Sequence, residues 1–345
     1  MSIELVEAAA STGRVPLGFA GLDAPQGSHI AFASESEINR QDSLFGFISA
    51  GLRNDEKCIA AVSEYTPDFW TNGLRTHGIE PEAMPAGQLD ILTAGRLFNA
   101  PILESIRMLP DMLSKYIEDS FNNGWQSVRV CAGFTHLYHH KQTLKDLLLA
   151  DSRINDLISD RPVTFLCAFN KSKLHPLLLE MSLKCHRLVT DGTFLSGNDD
   201  YLEPDQLEDC LPGLLEELDK AGALKPPFAI LDFHGDIPII SAGDELDFCT
   251  TPGFEELASW IVSVSHKKLV VDLSGTSFMD AGSISALLRI ARALENRGGR
   301  LAIYDPLNPT RRIFQIVKLH DYIPVRHSLD EAVETVVERD PGTGV

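Results

Sequence analysis

HIAFAS, KCIAAVS, LDILT, SVRVCAG and VTFLCAF, spaced between His29 and Phe169, are apolar runs too short for buried helices and without the polar alternation of half-exposed strands. A strand of that kind is buried on both faces, which happens when helices cover a mainly parallel sheet on both sides. The stretches between them read as those helices. Thr66 before Pro67, with Gly78 three turns on, supplies an N-cap, a first-turn proline and a stop. Pro110 is expected to kink or divide the helical stretch from Pro101 to Asn122. The expected fold class is therefore α/β.

A second unit follows. PDQLEDCLPGLLEELDKAGA, from Pro204, reads as a helical connector, and Lys225-Pro226-Pro227 is stiff punctuation that suits a boundary. FAILDFHG and IPIISAG are expected to pair, followed by a helix near Pro252–Ser263 and the strand KLVVDLSG. Ile284, Leu287, Leu288, Ala291 and Leu294 then recur at helical spacing until Gly298-Gly299 ends the run. LAIYD, a helix with Ile313, Phe314, Ile316 and Val317, the strand IPVR and a helix capped by Ser328 and Glu331 complete the unit. The expected boundaries are an arm at 1–25, a first domain at 26–208, a connector and linker at 209–227, a second domain at 228–338 and a tail at 339–345. A chain of 345 residues fits two domains at roughly 150 each.

With 49 acidic and 30 basic residues the formal charge is −19 at pH 7, and no basic run offsets it. Nucleic acid and anionic membranes are therefore not expected partners. No run reaches ~18 apolar residues, and MSIELVEAAASTGRVP lacks a basic segment followed by an apolar one, so a cytoplasmic protein is expected. The six cysteines include no C-x-x-C, which argues against a disulfide framework or zinc ribbon.

The order GDELDFCTTPGFEELASWI, KKLVVDLSGTSFMDAGSISALLRIARALENRGGRLAIYD, LHDYIPVRHSLDEAV resembles a STAS domain of the anti-sigma factor antagonist type. The resemblance implies that the loop and helix start, here Asp280, Ala281, Gly282 and Ser283, dock on an anti-sigma factor or a related Ser/Thr kinase-type regulator. Arg289 and Arg292 on the following helix are either interface anchors or a solvated face. In that family the residue after the aspartate is a phosphorylated serine, and added anionic charge disrupts docking. Here it is Ala281, so the usual switch is absent, with Ser283 and Ser285 as substitute acceptors. Asp280 also suits an N-cap accepting from amides near Ser283.

The order HIAFASESEINRQDSLFGFISAGLRNDEKCIAAVSE, GQLDIL, VTFLCAFNKSKLHPLLLEMSLKCHRLVTDG, NDDYLEP looks like a MEDS domain, a sensory module for small molecules. Its opening strand, loop and helix also look like the first βα unit of RecA-type ATPases such as KaiC. A phosphate cradle needs G-x-x-x-x-G-K-[ST], but the loop here, Ala33 to Arg40, has no glycine, no lysine and two carboxylates. A RecA-like sheet that binds no ATP is therefore expected. Ligands of parallel sheets sit beyond the carboxyl ends of the strands, which makes Glu35, Ser63, Glu64, Thr135, His136 and Asn170 the ligand-sensing candidates.

A metal reading leans on His29, Cys167 and His186, which match the family pattern, with core packing as the competing role for each. His136 and His140, four apart, would share a helix face, but no H-E-x-x-H occurs, nor any G-x-S-x-G elbow. The chain is expected not to be an enzyme. It reads as a sensor in which ligand occupancy changes how the first domain covers the loop at Asp280 to Ser283. Two rivals stand beside it: a metal- or nucleotide-dependent enzyme using the histidine and cysteine cluster, and a self-assembling hub of the stressosome kind.

Overall fold

Residues 13–62, 65–92, 102–133, 141–221, 229–247, 250–263, 266–305 and 311–337 are described by a computed structural model. It divides into two units, Met1–Lys225 and Pro226–Val345. The first opens with a hairpin of β1 (Arg14–Pro16) and β2 (Asp23–Pro25). Then come β3 (His29–Ser34), α1 (Glu37–Arg53), β4 (Lys57–Val62), α2 (Pro67–Thr76), β5 (Leu89–Ile91), α3 (Ile102–Asn122) and β6 (Val128–Gly133). The unit closes with α4 (Lys141–Ile158), β7 (Val163–Asn170), α5 (Pro176–Leu183), β8 (Leu188–Thr190), β9 (Leu195–Gly197) and α6 (Pro204–Lys220).

The seven strands β3–β9 form one sheet in the order β5-β4-β6-β7-β3-β8-β9, parallel except for the β8–β9 edge. Every residue of β3, β4, β6 and β7 is buried, as unbroken apolar runs require. Thr66 caps α2 by accepting from the Phe69 amide, and Gly78 adopts a left-handed φ of 71° just beyond its end. A single helix runs through Pro110. A mid-helix proline costs about 3 kcal/mol, and burial of Ile106, Leu109, Leu113 and Ile117 on one face offsets it.

The N-terminal hairpin is bound into this unit. Arg129, fully buried on β6, donates to the Pro16 and Phe47 carbonyls and pairs with both Glu56 carboxylate oxygens at 2.7 and 3.0 Å. Gly18, at φ 82°, passes so close to α1 that a Cβ would lie 2.0 Å from the Gly46 carbonyl oxygen. The α6 helix, which the sequence presents as a connector, buries Leu207, Leu211 and Leu218 and packs on α4 and α5. Its Leu-rich stripe needs a surface to cover, and that surface lies in the first unit.

The second unit contains β10 (Ala229–His234), β11 (Ile237–Ala242), β12 (Glu245–Leu246), α7 (Thr251–Ser263), β13 (Lys268–Asp272), β14 (Phe278–Met279) and α8 (Ala281–Glu295). It ends with β15 (Arg300–Tyr304), α9 (Arg311–Ile316), β16 (Val325–Arg326) and α10 (Leu329–Val337). FAILDFHG and IPIISAG pair antiparallel as β10 and β11, and the sheet continues in parallel as β10-β11-β13-β15-β16. Ala332, Val333 and Val336 of α10 cluster with Ile237, Ile239, Val270 and Ala302 of that sheet. Ser328 accepts from the Glu331 amide at the start of α10.

Candidate functional site

Three places in the chain gather side chains capable of recognition. In the second unit, the segment before α8 is held by pairing of β12 with β14 in parallel, Glu245 opposite Phe278 and Leu246 opposite Met279. Thr276 donates to the Gly243 carbonyl, and the Ser277 amide and hydroxyl both bond to Asp244. Asp280 caps α8, its Oδ1 accepting from the Ser283 amide at 2.8 Å, while its own amide donates to the Ser283 hydroxyl at 3.0 Å. Ser283 is consequently fully buried, whereas Ala281, Gly282 and Ser285 are exposed. The Ser285 hydroxyl donates to the Ala281 carbonyl. Arg289 and Arg292 are exposed on α8, and Arg289 is paired to Glu255 of α7 at 2.7 Å.

Phe278, which the sequence reading passed over, is half exposed on this pinned strand, one residue from buried Met279. Strand alternation explains the contrast: one residue of β14 faces the core and the other faces out. The outward phenyl, the Asp280 carboxylate and the small Ala281-Gly282 pair lie along one turn held by the β12–β14 pairing and the α8 cap.

At the carboxyl ends of the first sheet, Ser36 caps α1. Glu37, the first residue of α1, accepts from Arg40, Tyr65 and Asn170. Burial alone would raise its carboxyl pKa, but Arg40 and these hydrogen bonds outweigh it and hold the group below 4.5. This carboxylate stands at the first turn of α1, where a phosphate-binding loop would instead leave room for an anion. Asn170 is buried, its amide committed to Glu37 and to Ser172, and Glu35 is exposed and paired with Lys171 at 3.1 Å. Ser63, Glu64, Thr135 and His136 lie outside the described residues.

The third place is buried. His29 on β3, Cys167 on β7 and His186 after α5 converge on Asp151 of α4, and one ligand atom from each lies within 4.8 Å of the others. His29 Nε2 stands 3.3 Å from Cys167 Sγ and 3.5 Å from Asp151 Oδ1, and the thiol donates to Asp151 Oδ1 at 3.2 Å. His186 Nε2 faces Asp151 Oδ2 at 3.7 Å, beyond hydrogen-bond range. Both atoms are buried with no hydrogen-bond partner among the described residues.

The surrounding groups fix the tautomers. His186 Nδ1 donates to the Ser182 carbonyl at 2.9 Å. The Asn155 amide nitrogen donates to the Ser152 and Cys185 carbonyls, so its oxygen is the atom turned to His29 Nδ1, 3.3 Å away. Each ring therefore turns Nδ1 outward to an acceptor and Nε2 toward the cluster. Burial, with His29 beside it, pushes His186 down to about 3 against the pull of Asp151. Burial and the Asp151 carboxylate push the Cys167 thiol well above its usual range.

Asp151 and Cys167 also line the wall of a cavity of ≈ 30 Å³ between α3, α4, β6 and β7, otherwise apolar, with Leu109, Leu113, Ile154 and Phe169 among its lining. Sequence reasoning named the two histidines and Cys167 but missed Asp151. The available signal was polar Asp151 and Asn155, four apart, interrupting the apolar face of Leu144, Leu148 and Ile158.

Comparison with known proteins matches residues 28–187 to MEDS, the methanogen/methylotroph DcmR sensory domain, and residues 229–332 to the STAS domain. No curated protein matches the chain. Among solved structures, an anti-sigma factor antagonist from Mycobacterium paratuberculosis is 24% identical, over 32% of this chain and 93% of its own, at a TM-score of 0.29. The Bacillus cell fate determinant SpoIIAA in its phosphorylated form is 22% identical over 31% and 98%, at 0.27. A KaiC-like protein from Pyrococcus horikoshii is 14% identical over 52% and 79%, at 0.38. Among the described residues, no helix is long and apolar enough to cross a membrane.

Proposed function

We propose that this chain, which joins a MEDS domain at residues 28–187 to a STAS domain at residues 229–332, senses a small ligand with the first. The STAS domain docks on an anti-sigma factor or Ser/Thr kinase-type regulator, and so acts on sigma-factor-dependent transcription. The observation that carries the reading is the turn from Phe278 to Ser283, pinned from behind by β12 and capped by Asp280, yet exposed at Phe278, Ala281 and Gly282. A rigid exposed aromatic beside a carboxylate has the character of an interface anchor, because little entropy remains to be lost on docking.

Two residues support control through ligand occupancy rather than phosphate at the usual place, with exposed Ser285 left as the substitute acceptor. Ala281 has no hydroxyl, and the Ser283 hydroxyl is buried in the cap, out of reach of a kinase active site. Ligand binding shifts access to the turn only through its difference in affinity between the covered and uncovered states. The Glu37 carboxylate at the start of α1, held by Arg40 and Asn170, supports a sensor that does not bind ATP.

Calorimetric titration of the full chain with the anti-sigma kinases of its source tests the docking surface. Asp280→Lys and Phe278→Ala are each expected to cost about 2 kcal/mol, roughly 30-fold in Kd. Asp280→Asn keeps the cap and controls for folding. Wild-type affinity in both surface variants would remove this turn from the interface.

A further inference from the structure

We propose that His29 Nε2, the Asp151 carboxylate, Cys167 Sγ and His186 Nε2 form a tetrahedral site for one divalent d-block cation, zinc before others. The inference goes beyond partner docking and does not depend on it. Four observations carry it.

First, the spacing fits. Zinc bonds of about 2.0–2.3 Å place tetrahedral ligand atoms about 3.3–3.8 Å apart. His29 Nε2 and Cys167 Sγ lie 3.3 Å apart and 3.5 and 3.2 Å from Asp151 Oδ1, and His186 Nε2 lies 3.7 Å from Asp151 Oδ2. Second, both imidazoles are oriented as metal-binding histidines are, Nδ1–H held by an outer acceptor and Nε2 turned inward. The acceptors are the Ser182 carbonyl and the Asn155 amide oxygen. Third, Asp151 Oδ2 and His186 Nε2 are buried acceptors aimed at each other, with no donor among the described residues. Two buried lone pairs at that separation cost free energy unless something positive lies between them. Fourth, the charges sum to zero. Two neutral imidazoles, one carboxylate and one thiolate carry two negative charges, which a divalent cation cancels inside the protein.

The donor set also selects the ion. One thiolate and two imidazoles disfavour magnesium and calcium, which take oxygen ligands, and suit zinc and its late first-row neighbours. The site ties four segments of the first unit together: the start of β3, the middle of α4, β7 and the residue that follows α5. Because Asp151 and Cys167 also wall the apolar cavity, a bound cation stands beside any small molecule that enters between α3, α4, β6 and β7.

The test is elemental analysis of untagged full-length protein, followed by removal of metal and titration with Co(II). The expected result is one equivalent of zinc as purified, and with cobalt the visible bands of a tetrahedral ion plus a thiolate-to-cobalt charge-transfer band. Cys167→Ser should abolish the charge-transfer band, while Cys210→Ser, on the exposed face of α6, should leave it intact. Asn155→Ala acts through His29 as a positioning change and should weaken cobalt binding about 10–100-fold. Wild-type protein that takes up no cobalt, or that binds it without a sulfur band, would overturn the proposal whatever the variants do.

Discussion

Arg129 and Glu56 show how much of the first unit depends on single buried charges. The guanidinium is fully enclosed and holds the N-terminal hairpin, α1 and the Glu56 carboxylate together. Removing one partner of a buried pair leaves the other uncompensated, so Glu56→Ala should lower unfolding stability by about 3–5 kcal/mol, read from urea denaturation. A loss below about 1 kcal/mol would mean that water reaches Arg129. Glu37 sets the acid limit of the same unit. Its folded carboxyl titrates below 4.5, so as pH falls the unfolded chain takes up that proton first. The stability due to its contacts is complete above about pH 4.5 and is lost as pH falls through the folded pKa. Glu37→Gln should flatten that acid limb, and an unchanged limb would contradict the assignment. The Arg129–Glu56 pair was not legible in the sequence, because the two residues are 73 positions apart and nothing local marks them as partners. The buried cluster was three-quarters legible, since His29, Cys167 and His186 belong to recognisable runs whereas Asp151 is one acid among many on a helix.

Elements were more readable than pairs because their signals are local. The amphipathic period of α8, its Asp280 cap and its glycine stop lie within one short stretch, and all three are present in the fold. Asp280→Ala should therefore cost about 1 kcal/mol of stability in thermal unfolding and Asp280→Asn only a few tenths, since Asn caps nearly as well. Equal losses in both would show that the carboxylate charge, not the cap, holds the turn. Pro110, expected to kink or divide its helix, does not divide it. The local rule favours a break, but four buried side chains on one helical face outweigh it. The α6 helix teaches the same lesson, because its apolar stripe reveals that it must pack and not what it packs on. Phe278 was invisible as a surface residue for a related reason: in a two-residue strand, alternation does not reveal which side faces out.

At the scale of the whole molecule, the two units divide the labour. One encloses a polar cluster and a cavity beside a parallel sheet, and the other presents a turn with Ala281 directly after the capping Asp280. The net charge of −19 favours a basic complementary surface on whatever docks, with association that slows as salt rises. The central claim is that the turn from Ser277 to Ser285 is where that partner sits. Amide hydrogen exchange on the full chain, alone and with a saturating anti-sigma kinase, reads this directly. The account predicts new protection from Ser277 to Ser285; protection confined to other segments, with this turn exchanging as before, would contradict it.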